Sequence, residues 1–227
     1  MVDVVEYDDG GALAQGLAAA VAADLSAALE ARGRATLAVP GGSTPGPFLT
    51  ALAGTGLDWS RIAVFPTDER WAPPDHPRSN EGMIRANLMA AGAEPNFLPF
   101  WREGMTPEAA APVVAEAFAP HLPLDVCVMG MGADMHCASL FPGGGGLAAA
   151  MDMGTDAVIA PLTAPGAPEP RITLTAPRLA EAKLYLLITG AEKRVALADA
   201  LASDDALAAP AGAVLRAAEG ASVHWAP

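Results

Sequence analysis

Cysteine is nearly absent, with only Cys127 and Cys137 in 227 residues. Two thiols make no disulfide framework. Neither they nor the four histidines have the spacing of a zinc site, so no metal is expected. Basic residues are scarce, 13 against 26 acidic ones, for a formal net charge of −13. Such a balance repels nucleic-acid phosphates at long range and argues against a nucleic-acid partner. A small anion is still possible, because a few local cations or a helix N-terminus outweigh the distant field. The opening segment, MVDVVEYDDG, is acidic where a secretory leader would be basic, and no apolar core follows it. The most apolar helical stretch, Gly11–Ala31, is interrupted by Gln15, Asp24, Ser26 and Glu30, which argues against a bilayer span. A cytoplasmic protein without a membrane partner is expected. No internal repeat or boundary interrupts the chain, so residues 1–227 are read as one domain, a monomer or small homo-oligomer.

What is present is globular: 52% hydrophobic and 17% charged residues. Short apolar runs at Ala35–Val39, Arg61–Phe65, Leu124–Met129 and Lys183–Thr189 read as strands buried on both faces. Shorter strands are expected at Ala157–Ala160, Ile172–Thr175 and Ser222–Ala226. Between them lie helical patterns over Ala12–Ala31, Pro45–Leu52, Asn80–Leu88, Thr106–Phe118, Glu192–Ala202 and Pro210–Ala218. Ser43 and Thr44 are the expected caps of the second helix, and Ser79 and Thr106 of the next two. Alternation of this kind predicts an α/β, Rossmann-like fold: a mostly parallel sheet with helices on both faces.

Four strands are followed by polar, glycine-containing segments: GGST, TDER, MGADMH and GAEK. In a parallel sheet such segments share the carboxyl edge, where open α/β sheets bind ligands. Gly41, Gly42 and Ser43 offer backbone donors to an anion. Arg70 follows a strand directly and carries the planar fork suited to phosphate. Lys193 in the first turn of its helix opposes the dipole, which a local anion would explain; Arg171 is a further cation of the same kind. His136 is the one histidine on such a strand end, with Asp134 two residues away, and is the candidate acid–base group. His76 and His121 read as surface loop residues, and His224 as part of a terminal strand. Cys137 beside His136 is a poor nucleophile candidate, since adjacent side chains seldom aim at one point. Gly130-x-Gly132 lacks the third glycine and immediate helix of a dinucleotide fingerprint.

Taken together, VPGGSTP, TDERWAPPDHPRSNEGMIR, LDVCVMGMGADMHCASLFPG and PRITLTAPRLAEAKLYLLITGAEKR resemble 6-phosphogluconolactonases. The wider group includes glucosamine-6-phosphate deaminases/isomerases. The most specific pieces are DERW followed by SN, and GxGxDxHxASLFP. The resemblance implies hydrolysis of 6-phospho-D-glucono-1,5-lactone, a small sugar-phosphate lactone, with no metal or organic cofactor. It also implies His136 as the catalytic histidine, and Arg70, Arg171 and Lys193 around the phosphate, with Gly41, Gly42, Ser43 and Asp68 in the same cleft. Asp134 would orient the imidazole or hold its loop. One departure stands out: Met135 occupies a position that is usually glycine in the family, which suggests a positive φ, a tilted loop or a crowded substrate. The rival readings are a deaminase/isomerase, which needs another acid, a non-catalytic sugar-phosphate sensor, and a dehydrogenase.

Overall fold

The computed structural model describes residues 2–227. A short strand, β1 (Asp3–Glu6), leads into the long helix α1 (Gly10–Arg32). Asp9 caps α1 by accepting the Ala12 amide, and Gly33, at φ 73°, ends it. Next come β2 (Ala35–Val39), α2 (Gly46–Ala53), β3 (Ile62–Pro66) and β4 (Asp68–Arg70). Helix α3 (Asn80–Ile84) continues as a π-helical turn over Arg85–Met89 and is followed by β5 (Asn96–Phe97) and α4 (Pro107–Phe118). Beyond it are β6 (Val126–Gly130), α5 (Leu147–Met151), β7 (Ile159–Leu162) and β8 (Arg171–Leu174). The chain ends with α6 (Ala176–Ala180), β9 (Lys183–Thr189), α7 (Ala191–Ala202), α8 (Pro210–Ala217) and β10 (Ser222–Ala226).

The main sheet has seven parallel strands in the order β1-β10-β9-β6-β2-β3-β5. Its central strands alternate between two cores, as a pleated strand must. Leu37, Val126, Val128, Tyr185 and Leu187 face one core, which α1 and α2 close with Leu17, Val21, Leu25, Phe48 and Leu52. Ala38, Cys127, Met129, Leu184, Leu186 and Ile188 face the other, packed by Val114 and Phe118 of α4 and Val214 of α8. Helix α1 is long and apolar enough to cross a membrane, and seven of its residues are buried against the sheet.

The predicted α/β class with a mostly parallel sheet is what the chain adopts. One feature differs from expectation: β7 and β8 do not join the parallel sheet. They form a separate antiparallel sheet in the order β4-β8-β7, so Asp68–Arg70 of the TDER segment is itself a strand. Ile172 and Leu174 lie wholly buried in the second core, which gives this small sheet its own reason to exist. Its apolar positions alternate with polar ones, and that pattern fits a one-sided sheet as well as a central strand. A second correction concerns α2. Neither Ser43 nor Thr44 caps it; the cap position is Pro45, with no side-chain bond, whereas Ser79 and Thr106 do cap their helices. His121 closes a short 3-10 turn with its ring edge toward Phe65, and His224 is 3% exposed inside β10.

The order of the sheet reverses between β2 and β6. From β2 the chain runs outward to β3 and β5, and later returns to β6, β9 and β10 on the other side. At such a switch point the loops leaving the two strands part and open a crevice at their carboxyl ends.

Candidate active site

A cleft of about 390 Å³ occupies that crevice. Gly41, Gly42, Ser43 and Thr44 line it from the β2 side, and Gly130, Gly132 and His136 from the β6 side. Asp68, Arg70 and Arg171 come from the small sheet, and Lys193 from α7. Eight of the nine residues singled out in the sequence therefore face one space. The ninth, Asp134, stands behind the imidazole: its Oδ1 is 2.5 Å from His136 Nδ1. Thr67, Asn80 and Phe141 also line the cleft and were not singled out, although Asn80 and Phe141 sit inside the quoted SN and ASLFP segments.

The histidine loop is a closed turn. Met135 N–H donates to the Gly132 carbonyl, and Gly132 N–H donates to the His136 carbonyl, both at 3.0 Å. The Gly132 amide is thereby committed and is not a free donor for a substrate oxygen. In contrast, the amides of Gly42, Ser43 and Thr44 donate to no protein acceptor among the described residues. With Asp134 holding Nδ1–H, Nε2 carries the lone pair and is the atom able to accept a proton.

Cations are brought together by strand register. In the β4–β8 ladder Arg70 is the direct partner of Arg171, and Asp68 of Thr173. Like charges placed directly opposite repel. Arg171 is 5% exposed, and burial, then the Arg70 and Arg78 charges, lower its pKa against the opposing pull of Asp68. Its Nε and that of Arg70 are buried without a hydrogen-bond partner among the described residues. Lys193 has no ion pair among the described residues. Asp68 answers only part of this charge: its Oδ2 accepts from Ser139 Oγ at 2.5 Å and lies 3.9 Å from Arg171. Two arginines and a lysine with unused donors make this wall of the cleft ready for a multivalent anion.

Glu69, between Asp68 and Arg70, points the other way and is wholly buried. Its carboxylate accepts from the amides of Arg70, Asn80 and Glu81 at 2.7–2.8 Å and from Ser79 Oγ at 3.2 Å. The acid thus ties the proline-rich loop 71–79 back to β4 and sets the start of α3. Burial pushes its carboxyl up to about 7, against the pull of those three amides. Glu69→Gln preserves the shape but turns one acceptor into a donor facing another donor. A loss of roughly 2 kcal/mol is expected in urea denaturation at pH 8, where the acid is ionised. Unchanged stability would show that the four bonds do not hold the loop.

Asn80 is fixed by the same segment. Its Nδ2 donates to the Asp68 carbonyl at 2.7 Å and contacts Asp68 Oδ1 at 3.3 Å. This forces Oδ1 against Gly41, where a Cβ would fall 1.8 Å from it. Glycine at 41 is thus required by close approach rather than by flexibility.

Met135 resolves the departure noted in the sequence. Its φ is 64°, in the left-handed region that glycine favours. The side chain does not reach the cleft; it packs on the outer side of the loop, beside Ala196 and Val195 of α7. Met135 is thus absent from the cleft lining, and the backbone conformation it holds is one that glycine adopts without steric cost. Restoring Met135→Gly relieves about 1 kcal/mol of backbone strain and forfeits a similar amount of packing and chain-entropy advantage. In kinetics kcat/KM is expected to stay within about threefold of the parent, under 1 kcal/mol in barrier terms. A larger change would place Met135 in the chemistry.

Among known proteins, the family model described as glucosamine-6-phosphate isomerases/6-phosphogluconolactonase matches residues 8–225. A 6-phosphogluconolactonase of Rhizobium meliloti is 44% identical over 97% of both chains. One from Pseudomonas aeruginosa is 43% identical over 94% of this chain and 90% of its own. The crystal structure of a 6-phosphogluconolactonase from Shewanella baltica superposes with a TM-score of 0.95 at 34% identity, covering 100% of this chain and 98% of that one. Matches of this extent take in every strand end that lines the cleft. The chain is a member of the glucosamine-6-phosphate isomerase/6-phosphogluconolactonase family.

Proposed function

We propose that the chain hydrolyses 6-phospho-D-glucono-1,5-lactone to 6-phospho-D-gluconate, a step of the oxidative pentose phosphate pathway. One observation carries the reading: an imidazole held at Nδ1 by Asp134 shares a cleft of about 390 Å³ with Arg70, Arg171 and Lys193. An acid–base group at one place and a phosphate anchor at another suit a phosphorylated ester whose carbonyl must be held still.

In this scheme the two arginines and the lysine bind the phosphate and position the lactone carbonyl. His136 Nε2 takes a proton from water as the water oxygen bonds to C1. The carbonyl oxygen becomes an oxyanion, for which the uncommitted amides of Gly42–Thr44 are the available backbone donors. As the tetrahedral species collapses, the bond from C1 to the ring oxygen breaks, and the imidazolium returns its proton to that oxygen. Asp134 keeps the tautomer and steadies the charged ring. The scheme calls on no metal or organic cofactor.

Lactone hydrolysis at neutral pH, corrected for the spontaneous rate, tests this directly. Turnover of the 6-phosphorylated lactone is expected, with kcat/KM for the unphosphorylated lactone lower by about a hundredfold or more, the worth of a bound phosphate. Ammonia release from glucosamine 6-phosphate instead would identify a deaminase. That alternative has a weaker basis, since Asp68 is the only acid lining the cleft among the described residues, and Ser139 and Arg171 engage it. Tight binding of 6-phosphogluconate without turnover would identify a sensor.

A further inference from the structure

We propose that Phe141 is a positioning residue, a single ring that holds both the imidazole of His136 and the guanidinium of Arg171 on the cleft wall. The His136 and Phe141 rings stack with centroids 3.9 Å apart and planes 23° from parallel. Arg171 Cζ lies 5.4 Å from the centroid of the same Phe141 ring. Two groups, one from the loop after β6 and one from β8, assigned different tasks by the lactonase reading on which this inference rests, thus share one support.

Both groups need it. Among the described residues the only polar tether of the His136 ring is Asp134, whose side chain is 53% exposed and open to screening by water. That one bond is the ring's single polar restraint, and a stacked aromatic face adds a second that water does not screen. Arg171 is similarly loose in its polar contacts: Nε has no partner among the described residues, and Nη1 is 3.9 Å from Asp68. An acid in the place of Phe141 would hold the guanidinium and also neutralise it. An aromatic face holds it by cation–π attraction and leaves its charge and donors for the substrate. The ring itself is anchored by turns on both sides, with Phe141 N–H donating to Ser139 O and Phe141 O accepting from Gly144 N–H.

The test uses Phe141→Leu, with Phe141→Met as a second ring-free variant should leucine fail to fold, and Phe141→Tyr as the conservative restoration. In Phe141→Leu, kcat should fall about tenfold from misplacement of the base. The Kd for inorganic phosphate should rise about threefold from loss of the cation–π contact. Tyrosine should recover most of both. In a His136→Ala background the kcat penalty of Phe141→Leu should shrink from about tenfold to about threefold or less, the part carried by Arg171, while phosphate binding is weakened as before, a split that a general structural defect would not produce. By NMR, the His136 ring proton signals should move downfield in the ring-free variants as the Phe141 ring current is lost. Wild-type kcat in Phe141→Leu beside an inactive His136→Ala would overturn the proposal and leave the lactonase reading intact. If the parent turns over no lactone, that reading fails alone, and unchanged phosphate Kd and NMR signals would then overturn this one.

Discussion

Replacing His136 by alanine is expected to lower enzymatic lactone hydrolysis by about a thousandfold, the usual scale for removing a positioned acid–base group. The side chain lies 26% exposed at the cleft and its ring makes no backbone hydrogen bond among the described residues, so its removal should leave the fold intact. Phosphate affinity should also be retained, because Arg70, Arg171 and Lys193 stand on other elements. Progress curves with spontaneous hydrolysis subtracted would give the residual rate, and thermal unfolding would check the fold. Turnover close to that of the parent would remove His136 from the role of base. Asp134→Asn should fall between the two, since it keeps a partner at Nδ1 and loses the charge that steadies the imidazolium.

The second large effect is expected from a single methyl group at a residue with no chemistry of its own. A Cβ on Gly132 would fall 2.2 Å from His136 Nδ1 and 2.3 Å from Asp134 Oδ1. Neither atom can yield without breaking the bond between them, and the Gly132 amide is locked to the His136 carbonyl. Gly132→Ala therefore has to separate acid from imidazole or swing the loop. A fall in kcat of about a hundredfold is expected, because displacements near 1 Å cost that much in an oriented site. Since Gly132 sits on a partly exposed loop beyond β6, the loss of global stability should be small beside the loss of rate. Full activity in Gly132→Ala would mean that the Asp134–His136 pair is not needed for turnover.

Most of the scaffold was readable along the chain for one reason. Central parallel strands are buried on both faces, so Ala35–Val39, Leu124–Met129 and Lys183–Thr189 are near-continuous apolar runs with polar breaks. The candidate site was readable because chain order puts those breaks on one edge of the sheet. Phe141 escaped notice as an apolar residue between Leu140 and Pro142, and its stacking depends on a turn that brings it back under His136. Glu69 escaped for the opposite reason: in Asp68-Glu69-Arg70 all three residues look like a solvated charge cluster. Strand alternation instead sends Asp68 and Arg70 to the cleft and buries Glu69 on four donors.

Local pattern by itself determined the parallel sheet, the helix boundaries near Ser79, Thr106 and Pro210, and the edge from which His136, Arg70 and Lys193 would project. These follow from periodicity, capping and chain direction, which act over a few residues. Only the tertiary structure decided that Arg70 and Arg171, a hundred positions apart, would be direct neighbours in an antiparallel ladder. It likewise decided that the Met135 side chain would turn away from the cleft, toward α7. Those outcomes depend on register and on which face of a turn meets α7. Such choices are set by packing between distant segments, and no window of the sequence contains both partners.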